Sequence, residues 1–178
     1  MTRANVRRAS EADLPALLDI YNYYVTNTHI TFDLEPRTLA ERSVWFSQFA
    51  MRGRYQCFVA EEDGNVIGWA SSSRFKDRAA YDTSVETTVY LAPSMTGRGI
   101  GSPLYQALFS ALSNQDVHRA YGAIATPNPA SIRLHEKIGF ERVATYREVG
   151  RKFSRFWDVE VYERAIGESP SKAGVPLI

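Results

Sequence analysis

Val89-Tyr90-Leu91-Ala92-Pro93-Ser94-Met95-Thr96-Gly97-Arg98-Gly99-Ile100-Gly101-Ser102-Pro103 is the stretch whose reading decides the fold. It leaves an alternating strand and enters a helix. In TSVETTVYL, residues 83–91, Val85, Thr87, Val89 and Leu91 share one face, while Glu86, Thr88 and Tyr90 share the other. After the turn, Leu104, Ala107, Leu108, Ala111 and Leu112 recur at helical spacing. Gly97, Gly99 and Gly101 let the backbone aim its N–H groups at one point without hindrance from a Cβ. A helix N-terminus adds unsatisfied donors and partial positive charge, so the turn reads as an anion cradle with Arg98 at its mouth. Two familiar cradles fail on spacing. A nucleotide P-loop needs a lysine that is missing here, and Ser102 stands where the dinucleotide fingerprint needs its third glycine. The plain alternative is a glycine turn that only reverses the chain.

Working outward, residues 4–8 fit a short strand. Ser10-Glu11-Ala12-Asp13 has capping-box form and leads into Leu14, Leu17, Leu18, Tyr21, Val25 and Thr28 at helical spacing. A second capping box, Thr38 to Glu41, opens a helix whose expected inner face is Leu39, Ser43, Phe46 and Phe49-Ala50. CFVAEE and VIGWASS flank Asp63-Gly64-Asn65 and read as an antiparallel hairpin. AYGAIAT reads as a buried strand. Asn128 and Pro129 open a helix that closes at Gly139, and strands over about 141–148 and 156–164 complete the pattern. The order β-α-α-β-β-β-α-β-α-β-β implies an α/β (α+β) domain. Its mixed, mostly antiparallel central sheet carries helices on both faces.

The 178 residues suit one domain, expected over 1–166, with a loose tail over 167–178 where GESPSKAGVPLI carries few large side chains. Charge nearly cancels, 21 Lys and Arg against 20 Asp and Glu, which gives no bulk electrostatic case for nucleic acid or a membrane surface. One cysteine, Cys57, forms no internal disulfide and reads as core. His29, His118 and His135 lack metal-ligand spacing, so no metal is expected. No apolar run reaches the roughly 18 residues of a spanning helix. A soluble, cytoplasmic protein is the expectation.

The turn and a downstream element together resemble the GCN5-related N-acetyltransferase (GNAT) superfamily. Its acetyl-CoA motif, Gln/Arg-x-x-Gly-x-Gly/Ala between a strand and a helix, stands here as Thr96-Gly97-Arg98-Gly99-Ile100-Gly101, with Thr96 the departure. The second element is Asn128-Pro129-Ala130-Ser131-Ile132-Arg133-Leu134-His135-Glu136-Lys137-Ile138-Gly139-Phe140. Within the superfamily the chain is most similar to the phosphinothricin and methionine-sulfoximine acetyltransferase branch. Ile20-Tyr21-Asn22, Phe32, Glu35-Pro36, Val85-Glu86, His135, Gly150-Arg151-Lys152-Phe153 and Trp157-Asp158 carry that likeness.

The resemblance implies acetyl-CoA as cosubstrate, with the backbone of Val89, Tyr90 and Leu91 pairing with the pantetheine arm. The amides of Gly97, Arg98, Gly99, Ile100, Gly101 and Ser102 would take the pyrophosphate, and Asn128 and Ser131 would contact the pantetheine side. It makes Glu86 the expected general base and His135 the expected proton donor to the thiolate. Arg74-Phe75-Lys76-Asp77-Arg78 offers cations for an acceptor carboxylate, chiefly Lys76 and Arg78, with Phe32 and Tyr81 as apolar walls. Read without the family, each has a blander meaning: a solvated strand glutamate, a hydrogen-bonded core histidine, a charged surface loop. The expected acceptor is a small amino acid or analogue. The alternatives are a protein N-terminus, lysine or polyamine, or a module that binds acetyl-CoA without catalysis. Relatives in the branch are often homodimers, and Phe153, Phe156 and Trp157 fit either an interface or the core.

Overall fold

The computed structural model describes residues 4–167, so the stretch read as a tail lies outside the described residues from 168 onward. In chain order the elements are β1 (Asn5–Arg8), α1 (Leu14–Asn27), α2 (Leu39–Phe46), β2 (Cys57–Glu62), β3 (Asn65–Arg74), β4 (Ser84–Leu91), α3 (Gly101–Leu112), β5 (Arg119–Thr126), α4 (Pro129–Lys137), β6 (Glu141–Lys152) and β7 (Arg155–Ala165). They match the expected order. The strands form one seven-stranded sheet, β1-β2-β3-β4-β5-β7-β6, in which only β4 and β5 run parallel.

Local chemistry sets the ends of these elements. Asp13 accepts from the Ser10 amide at 2.7 Å and from both Arg7 Nη atoms at 2.8 Å, tying the entry of α1 to β1. Glu41 accepts from the Thr38 amide at 2.7 Å and starts α2. Asp63 and Gly64, both at positive φ, make the two-residue hairpin turn between β2 and β3.

Helices cover both faces. On one, α3 buries Leu104, Leu108 and Leu112 against Ala60, Ala70, Val85 and Ala120, with α4 packed alongside. On the other, α1 buries Leu17 and Ile20 against Val59 and Trp69. Each such side chain contributes about 1.5–3 kcal/mol through its removal from water. The β4 alternation holds: Val85, Val89 and Leu91 face α3, while Tyr90 joins the α1 side. Cys57 is buried, and burial pushes its thiol up to about 12, which keeps it inert.

Two expectations are corrected. The buried residue of α2 is Arg42, Leu39 is half exposed, and the helix stops at Phe46, short of Phe49-Ala50. The helix rests on aromatic rings, against which a flat guanidinium packs well. The last two strands are also longer than the pattern suggests. The register between β6 and β7 shifts between Tyr146 and Gly150, with Glu148 at φ 51, so alternation breaks while pairing continues to Lys152.

Candidate active site

β4 and β5 pair over three positions only, Ser84 with Arg119, Val85 with Ala120 and Glu86 with Tyr121. Beyond them β4 follows β3 to Leu91 and β5 follows β7 to Thr126, so the two strands part. Thr87 Oγ1 donates to the Tyr121 carbonyl at 3.1 Å where the fork opens. A cleft of about 720 Å³ runs through the sheet at this fork. Tyr21, Trp45 and Trp69 line it on the α1/α2 side, and Tyr105, Ser131 and His135 on the α3/α4 side.

The fork exposes backbone. The Ala92 amide donates to the Ile67 carbonyl at 2.8 Å, which turns Ala92, Tyr90 and Thr88 toward β3. By alternation the N–H and C=O groups of Val89 and Leu91 face the gap. Tyr24 Oη donates to the Leu91 carbonyl at 2.7 Å, leaving the Leu91 amide and both Val89 groups for an extended ligand.

Glu86 lies half-buried on the cleft wall. Burial raises its carboxyl above the ordinary value, with no cation or hydrogen bond opposing the shift. His135 is 3% exposed and bonded at both ring nitrogens. Nδ1 lies 2.8 Å from the Ser131 carbonyl, and Nε2 lies 3.1 Å from Tyr105 Oη. A carbonyl only accepts, so in the neutral ring Nδ1 carries the proton and Nε2 accepts from Tyr105. Burial lowers the imidazole pKa and keeps that form. Gly122 makes room for the ring, since a Cβ there would stand 2.8 Å from Nε2. Glu86 and His135 thus approach one cleft from opposite faces of the sheet.

The glycine turn follows the open end of β4. Gly97 at φ +76 and Gly99 at φ +80 adopt the left-handed conformation, and their missing Cβ atoms leave open space. Gly101 is needed for packing, because a Cβ would lie 2.6 Å from Leu134 Cδ2 of α4. Ile100 is in the core, so only its backbone is available, and Ser102 sits in the first turn of α3. An unclaimed strand edge leading to an open glycine cradle at a helix N-terminus fits the pantetheine and pyrophosphate of acetyl-CoA. Arg98 departs from expectation. Its guanidinium is held by Glu62 at 2.9 and 3.1 Å and is not a free charge at the mouth. Asn128 Oδ1 accepts from the Ser131 amide at 3.2 Å, so it caps α4 while also lining the cleft.

Phe32 lines the cleft over Gly150 of β6, where an added Cβ would collide with its ring. Its loop is fastened by Tyr21 Oη donating to Asp33 at 2.7 Å and by Lys152 Nζ donating to the Thr31 carbonyl at 2.9 Å. Lys76, Arg78 and Tyr81 are not brought into this cleft. They line a second hollow of about 600 Å³ with Phe75. Phe75 stacks at 4.3 Å on Tyr121, the register partner of Glu86, so this loop borders the closed end of the fork.

Sequence reasoning missed Arg42, Trp45, Trp69 and Tyr105 as lining residues. Tyr105 stands next to Leu104 in the apolar stripe, and only contact with His135 separates it from ordinary core. Among the described residues no three His, Cys, Asp or Glu side chains gather as a metal site.

Comparison with known proteins agrees with this geometry. The GNAT acetyltransferase domain family matches residues 6–161. A phosphinothricin N-acetyltransferase of Streptomyces coelicolor is 54% identical over 163 residues, covering 90% of this chain and 95% of that protein. An L-methionine sulfoximine/L-methionine sulfone acetyltransferase of Pseudomonas paraeruginosa is 36% identical, covering 88% of this chain and 91% of that one. The crystal structure of a Sinorhizobium meliloti phosphinothricin acetyltransferase in complex with AcCoA superimposes with a TM-score of 0.89 at 32% identity, over 98% and 97% of the two chains. The chain belongs to the GNAT acetyltransferase family and is an acetyl-CoA-dependent N-acetyltransferase.

Proposed function

We propose that the acceptor is a free amino acid or close analogue of the phosphinothricin or methionine sulfoximine kind, and that acetyl passes directly to its amine in a ternary complex. The observation that carries this reading is the through-sheet cleft. It puts a half-buried, unpaired Glu86 on one wall and the His135–Tyr105 pair on the other. The names of the similar proteins support the acceptor class.

Acetyl-CoA supplies the activated thioester. Val89 and Leu91 hold the extended arm by strand-like hydrogen bonds, and a gap-facing amide near Leu91 polarises the acetyl carbonyl. Removing one such donor typically costs about 10²–10³ in rate. The amides of residues 97–102 take the pyrophosphate, and Asn128 and Ser131 contact the arm. Glu86 takes a proton from the acceptor ammonium, directly or through one water. Its raised pKa makes it a better base than an exposed carboxylate. His135 gives its Nδ1 proton to the departing thiolate through the Ser131 hydroxyl and takes the Tyr105 hydroxyl proton at Nε2, so the ring stays neutral and Tyr105 recovers its proton from water. Phe32 forms an apolar wall for the acceptor. Lys76, Arg78 and Tyr81 act from the loop beside the closed end of the fork, where two cations draw in an acceptor carboxylate.

A cytoplasmic homodimer completes the reading. The need for acetyl-CoA supports a cytoplasmic location. Val149, Phe153 and Phe156 are each more than half exposed on β6, β7 and their turn, which supports a self-association surface. The test of function is thiol release across free amino acids, methionine sulfone, methionine sulfoximine and phosphinothricin, with peptides and polyamines alongside. Faster turnover of a peptide or polyamine than of every free amino acid overturns the acceptor class. No release with any amine overturns catalysis itself.

A further inference from the structure

The buried side chain of α2 is a charge without a counter-charge. Arg42 is 5% exposed, and its guanidinium lies over Trp45 at 3.4 Å, Trp69 at 4.5 Å and Tyr21 at 5.2 Å from the ring centroids. Among the described residues its buried Nε and Nη2 atoms have no hydrogen-bond partner, and neither has Trp69 Nε1. Two side chains from different elements that line one cleft therefore carry unmet N–H donors. Buried donors are nearly always paired in native proteins, so these mark the place of an acceptor. Stacking on aromatic faces occupies the flat side of a guanidinium and leaves its in-plane N–H fork for an oxyanion.

Among the described residues no anion answers Arg42. The ionisable groups acting on it are Cys57, Tyr21 and Tyr90. Burial pushes the Cys57 thiol and the Tyr21 phenol up to about 12 and raises Tyr90 as well, so all three are neutral near pH 7. Of the carboxylates that share this wall, Glu86 is not among the groups acting on Arg42, and Asp33 and Glu41 are committed. Asp33 receives Arg37 at 2.7 and 2.8 Å, and Glu41 caps α2 through Thr38. Arg37 is thereby spent, and Arg42 is the uncommitted cation among the described residues lining the cleft.

We infer that Arg42 and the Trp69 indole N–H form an oxyanion subsite on the acceptor side of the cleft, which takes the acidic group of the acceptor. This rests on the proposed acceptor class and assigns its acidic group a specific seat. The acidic group has two sources, an α-carboxylate or a side-chain phosphinate, and the acceptors in the test separate them.

The experiment compares wild type with Arg42→Met and Arg42→Lys on four acceptors: methionine sulfone, its carboxamide, phosphinothricin and the decarboxylated amine of phosphinothricin. Arg42→Met is expected to raise the KM of the anionic acceptors about 10- to 100-fold, the range for a lost charge-assisted hydrogen bond. The KM for acetyl-CoA stays unchanged. Methionine sulfone affected with its carboxamide spared assigns the carboxylate, whereas loss on the decarboxylated amine assigns the phosphinate. Arg42→Lys falls between, keeping charge without the fork. Acceptor binding to wild type without turnover should perturb Trp45 and Trp69 fluorescence, and Arg42→Met should lose that response. Thermal melts guard against a folding artefact, and Arg42→Met is expected to melt no lower than wild type because it removes an uncompensated buried charge. Equal losses on neutral and anionic acceptors, or none on either, overturn the subsite alone. A wild type that acetylates no free amino acid brings down the acceptor class, and the subsite with it.

Discussion

The two walls of the cleft are finished differently. On the α3/α4 wall the polar groups answer one another: Asn128 caps Ser131, the Ser131 carbonyl holds His135, and His135 accepts from Tyr105. On the α1/α2 wall Glu86, Arg42 and Trp69 line the same space and have polar atoms without partners among the described residues. A wall satisfied by its own chain is rigid and prepared in advance. A wall with open donors and an unpaired carboxylate is completed by what binds there. This division fits a reaction in which the coenzyme arm enters along a pre-formed edge and a variable acceptor supplies the missing charges.

The hardest blow to the open wall is Glu86→Gln. If Glu86 is the base, kcat falls about 10²- to 10⁴-fold, the usual range for general-base catalysis, while acetyl-CoA binding is retained. In the wild type, kcat/KM should rise with pH through the raised carboxyl pKa, and the variant should lose that limb. Stability moves the other way. A carboxyl whose folded pKa is raised binds more protons in the native state, so its effect lowers stability as pH climbs from the unfolded value through the folded one. Glu86→Gln should therefore melt at or above the wild-type temperature at pH 7 and lose activity at once. Unchanged turnover across pH 6–9 would remove Glu86 from the mechanism.

On the finished wall, His135→Asn is expected to cost about 10- to 100-fold in kcat through loss of general-acid help. Its linkage has the opposite sense. The folded pKa of His135 lies below 6.5, so the unfolded chain takes up the proton first and stability drains away as pH falls below that value. Melting curves between pH 5 and 7 should be flatter for His135→Asn than for wild type. Gly122→Ala probes the same contact from β5. Its Cβ would stand 2.8 Å from His135 Nε2 and 3.0 Å from Cδ2, a packed ring with nowhere to turn. We expect about 1–3 kcal/mol of destabilisation, read by denaturant unfolding, with a kcat loss no greater than that of His135→Asn.

The same division decides how much was legible in the sequence. The turn at 96–101, the strand ending at Leu91 and the alternation that separates Glu86 from Val85 are local patterns, and the fold follows from them. The finished wall is half legible: local rules mark Asn128 as the cap of its helix, while Ser131 and His135 are singled out only by the family resemblance. Tyr105 stayed hidden, as its meeting with His135 joins two helices. The open wall was least legible. Periodicity ranks side chains by hydrophobicity, so it puts Leu39, Ser43, Phe46 and Phe49-Ala50 on the inner face of α2 and passes over the buried Arg42. A guanidinium becomes an inside residue only once Trp45 and Trp69 are known to flank it. The strand extension beyond Glu148 was masked by a register shift, which an alternation rule reads as an end.

The smallest effect separates the seat from the outer loop. The sequence points to Lys76 and Arg78 as carboxylate anchors, yet they line a hollow apart from the cleft, joined to it by Phe75 on Tyr121. Lys76 stands over Phe75 and Tyr81 at about 5 Å from each ring centroid, exposed to solvent. A charge so placed acts on an acceptor through water, where attraction fades beyond a Debye length of about 10 Å at 0.1 M salt. Lys76→Ala should lower kcat/KM for an anionic acceptor only about two- to fourfold at low ionic strength, by slowing encounter. At 0.5 M salt the difference should vanish, while the Arg42→Met loss, set in a desolvated wall, should largely remain. A Lys76→Ala penalty that matched Arg42→Met and survived high salt would move the anchor to the loop, and the open wall would lose its claim to the acidic group.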